Sequence, residues 1–180
     1  MYNYNKIIAI GDIHGDFEGF VRILRMCKVI NGNNRWIGGN TYVIQMGDIL
    51  DGKRPGVKID PNFLTESGEL ESVQLINKVD NEAKNFGGRL ISIIGNHELY
   101  PYYYKNDKQF INDYVKNADI NHFKKFKHNR TNFFLPGEKG GIIMSKERPL
   151  ILQLGEFVFI HGSITDSLID FGLKNGKVNV

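Results

Sequence analysis

The chain has 180 residues, 41% of them apolar and 24% charged, and a net charge of +3. This length and composition suit one globular domain with a real core, and the charge is too mild to imply a nucleic-acid or membrane partner. Its single cysteine, Cys27, excludes an internal disulfide and a cysteine-built zinc site, no apolar run reaches membrane-spanning length, and the polar start has no signal-peptide character, so cytoplasm is the expected compartment.

In chain order, Ile7, Ile8, Ala9 and Ile10 read as a buried strand that Gly11 ends sharply. Asp12 and His14 follow two residues apart, a spacing that points both side chains to one side of an extended backbone. Asp16 is the expected N-cap of a helix through Cys27, whose buried face comprises Phe17, Phe20, Val21, Leu24 and Cys27. Residues 31–40 are turn-rich and predict a loop. A second strand over residues 41–46 ends in Gly47 and Asp48, with Asp51 three residues on. Residues 52–61 lack periodicity and predict a surface loop. Leu70, Val73, Ile76, Val79, Ala83 and Phe86 mark a long amphipathic helix, stopped by Gly87 and Gly88. A third strand over residues 89–94 runs into Gly95, Asn96, His97 and Glu98. This alternation of strand and helix predicts β-α-β units and a parallel sheet.

Tyr100, Tyr102, Tyr103 and Tyr104 then form an aromatic run, read first as packing at a helix end and second as a wall for a substrate ring. Helices are expected near residues 109–118 and 119–126. Lys124, Lys125, Lys127, His128 and Arg130 form a basic cluster, in the first instance a solvated face and in the second a phosphate-steering patch. Residues 150–154 and 157–160 flank Gly155 and Glu156, the pattern of a type II′ hairpin, and His161 and Gly162 follow. Thr165 is a candidate cap for a short helix with Leu168, Ile169 and Leu173.

Four apolar strands therefore hand over to metal-ligand or acid–base residue types, and three of the five histidines lie at those ends. Ligands of α/β sheets lie at the carboxyl ends of strands, so one shared site is the economical reading. Taken singly, Asp48 or Asp51 is a turn cap, Asn96 a helix cap and His161 a core histidine; as an ordered set they are a site. Asp12, His14 and Asp48 make a hard nitrogen and oxygen site for one divalent metal, and Asn96 and His161, sharing Asp48, make a second. A bridging aspartate holds two cations about 3.5–4 Å apart, lowers the pKa of water and clamps phosphoryl oxygens. Without thiolates, manganese, iron or zinc suits the site better than copper. His97, next to a ligand, is placed to act as general acid, with Asp51 orienting its imidazole.

These motifs resemble the calcineurin-like metallophosphoesterases of the serine/threonine phosphoprotein phosphatase branch, most of all the Shewanella-like phosphatases. G-D-x-H-G is matched by residues 11–15, G-D-x-x-D by Gly47, Asp48 and Asp51, G-N-H-E by residues 95–98, and H-G by His161 and Gly162, with Ser163 where the family has a further glycine. The stretch 130–137, leading into Gly155 and residues 159–162, carries the Shewanella-like character. The resemblance covers nearly the whole chain and implies a four-layer αββα sandwich of α/β class. It further implies two metals on Asp12, His14, Asp48, Asn96 and His161, with His97 as proton donor paired with Asp51.

Two departures matter. The family's phosphate-holding arginine after Asp51 is Gly52 here, leaving Lys53, Arg54 and Arg130 as candidate substrate contacts. No histidine follows His161, where the family supplies another metal ligand. Residues 1–180 are therefore expected to be this domain without its C-terminal part, with an incomplete second sheet and a weakened second metal site. Homodimerisation is one way to shield the uncovered sheet. The expected activity is metal-dependent hydrolysis of a phosphoprotein or phosphopeptide. A phosphoanhydride hydrolase resembling diadenosine tetraphosphatases and a non-catalytic phosphopeptide-binding remnant are the competing readings.

Overall fold

Strand β2 (Tyr42–Gln45) lies between β1 (Ile7–Ile10) and β3 (Arg89–Ser92), parallel to both, in a computed structural model that describes residues 5–52, 68–103, 133–135, 137–144 and 148–166. Val43 and Ile44 are fully buried neighbours on this central strand, yet they belong to different apolar clusters. Successive strand residues face opposite sides of a sheet, so β2 is packed on both faces, as parallel strands usually are.

On the Val43 side lie α1 (Phe17–Met26), α2 (Gly68–Lys84) and the short α4 (Lys139–Met144), the segment after α3 (Asn96–Tyr103). The expected first helix is realised closely. The Asp16 carboxylate accepts from the Gly19 N–H at 2.8 Å, Cys27 is the C-cap, and Phe20, Val21 and Leu24 are buried. Helix α2 buries Leu70, Val73, Ile76, Val79 and Ala83, as their spacing predicts. Phe86 is the correction: it is 61% exposed. The helix closes with Gly88 N–H on the Ala83 carbonyl and Gly87 N–H on the Lys84 carbonyl, with Gly87 at φ 73°. That pairing is a Schellman closure, and it turns the chain at Phe86 before this side chain reaches the core.

On the Ile44 side lies the antiparallel hairpin of β4 (Ile151–Leu154) and β5 (Phe157–Ile160). Leu152, Leu154 and Phe159 pack there on Ile44, Ile91 and Ile93. Gly155, the first turn residue, has φ 61°, as a type II′ turn requires. The two sheets are tied where Ile94 N–H donates to the Pro149 carbonyl at 3.0 Å. The chain is thus a mixed α/β fold with two sheets face to face and helices outside the first. A fourth layer is not among the described residues, and the second sheet has two strands there. Leu150, Phe157 and Val158 around the hairpin are about half exposed. The helices expected at 109–118 and 119–126, the loop from residue 53, the whole basic cluster (Lys124, Lys125, Lys127, His128 and Arg130), and Leu168, Ile169 and Leu173 lie outside the described residues. No helix among the described residues is long and apolar enough to cross a membrane.

Candidate active site

The carboxyl ends of β1, β2, β3 and β5 converge, and each contributes. The loop after β2 is the centre of the arrangement. Ile49 and Leu50 are fully buried in the helix-side core, which pins Asp48 and Asp51 on either side of them. To do so the backbone takes left-handed values at Asp48 (φ 55°) and Asp51 (φ 60°), and His14 shows the same (φ 45°). Such residues cost of order 1–3 kcal/mol each. Burying two large aliphatic side chains returns roughly 1.5–3 kcal/mol apiece and offsets part of that cost. Two glycines permit the close approach of the loops. A Cβ on Gly47 would lie 2.6 Å from the Gly95 nitrogen, and one on Gly95 would fall inside the Asp48 carboxylate.

Glu98 fastens the same loop from α3. Its carboxylate accepts from the backbone N–H groups of Asp48 (2.8 Å), Ile49 (2.7 Å), Leu50 (3.1 Å) and Gly95 (2.8 Å). Burial raises the Glu98 carboxyl above its ordinary value, and those four amides oppose the rise. Only an acceptor-only group with two oxygens can serve four converging donors. In the sequence Glu98 is visible only as the last residue of G-N-H-E, and nothing in its spacing indicates that it would reach back across fifty residues of chain.

Three histidines surround Asp48, each with Nδ1 tied outward. His14 Nδ1 pairs with the Leu50 carbonyl at 2.8 Å, His161 Nδ1 with the Met46 carbonyl at 2.7 Å, and His97 Nδ1 with the Asp51 carboxylate at 2.9 Å. Carbonyl partners require Nδ1 to carry the proton, so the Nε2 lone pairs of His14 and His161 are available inward, the usual arrangement for metal-ligating imidazoles. Asp48 spends Oδ1 on the His97 N–H (3.0 Å) and presents Oδ2 to the centre. That oxygen lies 3.8 Å from His14 Nε2, 3.8 Å from His97 Nε2 and 3.2 Å from His161 Nε2.

Asp12 completes the rim, half exposed, with its oxygens 3.6 Å from His14 Nε2 and 3.8 Å from His161 Nδ1. Asn96 places Oδ1 at 3.0 Å from His161 Nε2. Two groups of donor atoms fall within 4.8 Å of one another: His14, Asp48 and His97, and Asp12, Asp48 and His161. Both share Asp48. This nitrogen and oxygen donor set, with the Nε2 lone pairs of His14 and His161 turned inward, fits divalent cations.

The structure therefore brings together Asp12, His14, Asp48, Asp51, Asn96, His97 and His161. One geometric expectation fails: His14 is left-handed rather than extended, so Asp12 and His14 converge through a turn and not by strand alternation. Lys53, Arg54 and Arg130 lie outside the described residues. Tyr100 is a site neighbour with a role the sequence left open. Its ring lies 4.6 Å from that of His97, and its hydroxyl accepts from Asn96 Nδ2 at 2.7 Å. It packs the site from within and orients the Asn96 amide, which favours the helix-packing reading of this tyrosine.

A cluster of carboxylates, an amide and imidazoles thus gathers at the strand ends of two sheets, a donor set that could hold divalent cations. This chain belongs to the calcineurin-like phosphoesterase family, whose model matches residues 5–175. Among curated proteins it is similar to Shewanella-like protein phosphatase 1 of Plasmodium berghei, 34% identical over 163 residues that cover 88% of this chain and 39% of that protein. It is also similar to Shewanella-like protein phosphatase 2 of Arabidopsis thaliana, 35% identical over 94 residues, 52% of this chain and 21% of that protein. The chain thus spans between about a fifth and two fifths of these relatives' length. Its fold matches the crystal structure of the cold-active protein-tyrosine phosphatase of a psychrophilic Shewanella species, with a TM-score of 0.70 at 20% identity over 96% of this chain and 46% of that one. A 1.1 Å structure of a cold-active protein tyrosine phosphatase gives 0.71 at 19% identity.

Proposed function

We propose that this chain is a metal-dependent phosphomonoesterase of serine/threonine type acting on phosphoprotein, with a pair of divalent cations seated on Asp12, His14, Asp48, Asn96 and His161. The observation that carries the reading is the placement of Asp48 Oδ2 between three imidazole Nε2 atoms. Cations bound there supply Lewis acidity toward phosphoryl oxygens and hydroxide near neutral pH. The remaining work belongs to the chain. His97 is fixed by Asp51, which is fully buried and stabilises the imidazolium. In that state Nε2 carries a proton directed at the centre, and His97 gives it to the leaving oxygen as the P–O bond breaks. Asp12 and Asn96, on the exposed rim, face the approaching phosphate.

The names of the curated relatives support a phosphoprotein substrate, and that of the Shewanella structure shows that this fold also carries tyrosine phosphatases. Lys53, Arg54 and Arg130 remain our candidates for the phosphate contact that Gly52 does not provide. Manganese is the metal we would supply first, iron and zinc being the alternatives. Metal-stripped protein is expected to hydrolyse an aryl phosphate only after manganese is restored, and a His97→Ala control is expected to lower that turnover, though less than turnover of an alkyl phosphate. The same preparation, offered phosphoserine, phosphothreonine and phosphotyrosine peptides, reports the specificity. Metal binding without any turnover would leave a phosphopeptide-binding role instead. Homodimerisation over the exposed hairpin residues Leu150, Phe157 and Val158 belongs to the same proposal, and sedimentation as a monomer at micromolar concentration would remove it.

A further inference from the structure

Gln45 is a fully buried amide on the helix-side face of β2, the face of Val43, opposite its neighbours Ile44 and Met46. A polar side chain in such a place is costly unless every donor and acceptor is met. Here all are. Nε2 donates to the Gly47 carbonyl at 2.6 Å and to the Gly11 carbonyl at 3.3 Å, while Oε1 accepts from the Ser92 hydroxyl at 2.5 Å. Gln45 stands opposite Ile10 on β1 and opposite Ser92 on β3 in the sheet register. All three are the last residues of their strands.

The destinations of these bonds are informative. Gly11 and Gly47 lie just beyond the strand ladder, and each immediately precedes a residue of the candidate metal centre, Asp12 or Asp48. The last ladder bond between these strands is Met46 N–H on the Ile10 carbonyl, and the two loops next meet where the Ile13 and His14 N–H groups donate to the Asp48 carbonyl. Gln45 acts as one more rung, made by a side chain, between the last ladder bond and those loop-to-loop contacts. Ser92, 1% exposed, holds the amide from the third strand and so decides which way it faces. Were the position only a filler of space, an aliphatic residue would serve it as it serves Val43.

We propose that Gln45, braced by Ser92, is a positioning residue for the metal centre. It sets the separation of the Asp12 and Asp48 loops and so the affinity of the site for its cations. This rests on the reading of the site as a metal centre. Partners of metal ligands typically change affinity about 10–100-fold when removed. Gln45→Met keeps the length and volume of the side chain but neither donates nor accepts strongly. Ser92→Ala removes one hydroxyl and lets the amide turn.

The experiment is calorimetric titration of metal-stripped protein with manganese chloride alone, for the wild type, Gln45→Met and Ser92→Ala, well below each variant's melting temperature. Thermal unfolding of the metal-free forms is recorded beside it. The expected result is a dissociation constant raised about 10–100-fold in Gln45→Met, with Ser92→Ala intermediate. A purely structural role lowers the melting temperature and leaves the manganese affinity of the folded protein unchanged, and that result overturns the proposal. Should Gln45→Met not fold, Ser92→Ala decides alone: weakened binding supports the proposal and unchanged binding sinks it. A wild type that binds no manganese removes the metal centre itself, and the positioning role falls with it.

Discussion

Replacing Asp48 with asparagine abolishes metal binding at both positions while leaving the protein folded. The residue sits at φ 55°, a left-handed value that asparagine tolerates as well as aspartate, so the backbone has no reason to move. One oxygen still accepts the His97 N–H. The second oxygen becomes an amide that points hydrogens at the inward nitrogens of His14, His97 and His161 in place of a negative charge. At about 4 Å and a dielectric near 20, losing one unit charge weakens the hold on a cation by about 4 kcal/mol or more, roughly a thousandfold in affinity. Both donor groups share Asp48, so both are affected together. Calorimetry with manganese should show no saturable binding at concentrations that fill the wild type, and thermal unfolding of the metal-free variant should show a cooperative transition no lower than that of the metal-free wild type. Retention of one full-affinity ion would mean that Asp48 serves a single position and that the shared-ligand arrangement is wrong.

The second large effect concerns proton transfer. His97→Asn is expected to lower kcat on an alkyl phosphate about 10²–10⁴-fold while changing manganese affinity by only a few-fold. Asp51→Asn should come close to it. Asp51 is fully buried and bonded to His97 Nδ1 at 2.9 Å. Asparagine there keeps the shape and the left-handed backbone, but it removes the charge that stabilises the imidazolium and can present its own N–H to Nδ1. Because the two residues act as a unit, the double variant should be little slower than His97→Asn alone. An aryl phosphate, whose leaving oxygen needs less protonation, should suffer less from either change. Fully additive losses, or equal losses on alkyl and aryl esters, would place His97 outside the proton-donating role.

What could be read in advance shows where local and long-range information divide. The Asp16 cap, the buried face of α1, the turn at Gly155 and the parallel sheet implied by strand–helix alternation were all legible, because each depends on residues a few positions apart. That the candidate site residues converge was legible for a related reason. A glycine and a ligand-type residue repeat at successive strand ends, and the topology of a parallel sheet brings such ends to one edge.

Other features were not legible, for reasons of geometry. Phe86 keeps the helical period but lies at the point where the Schellman closure reverses the chain, so its periodicity predicts burial it does not have. The left-handed turn at His14 is imposed from elsewhere: its N–H and that of Ile13 both donate to the Asp48 carbonyl, a contact between separate loops. Glu98 gathers amides from two loops, Gln45 links three strand ends, and Tyr100 steadies Asn96, all through partners that only packing makes adjacent. The sequence by itself determined the order of elements and which residue types end the strands, since hydrophobic period and turn chemistry act locally. Only the tertiary structure decided the directions of the donor atoms, the histidine nitrogens left facing inward and the buried polar groups that hold the loops. Those depend on which backbone carbonyls and amides come together when the sheets and helices pack.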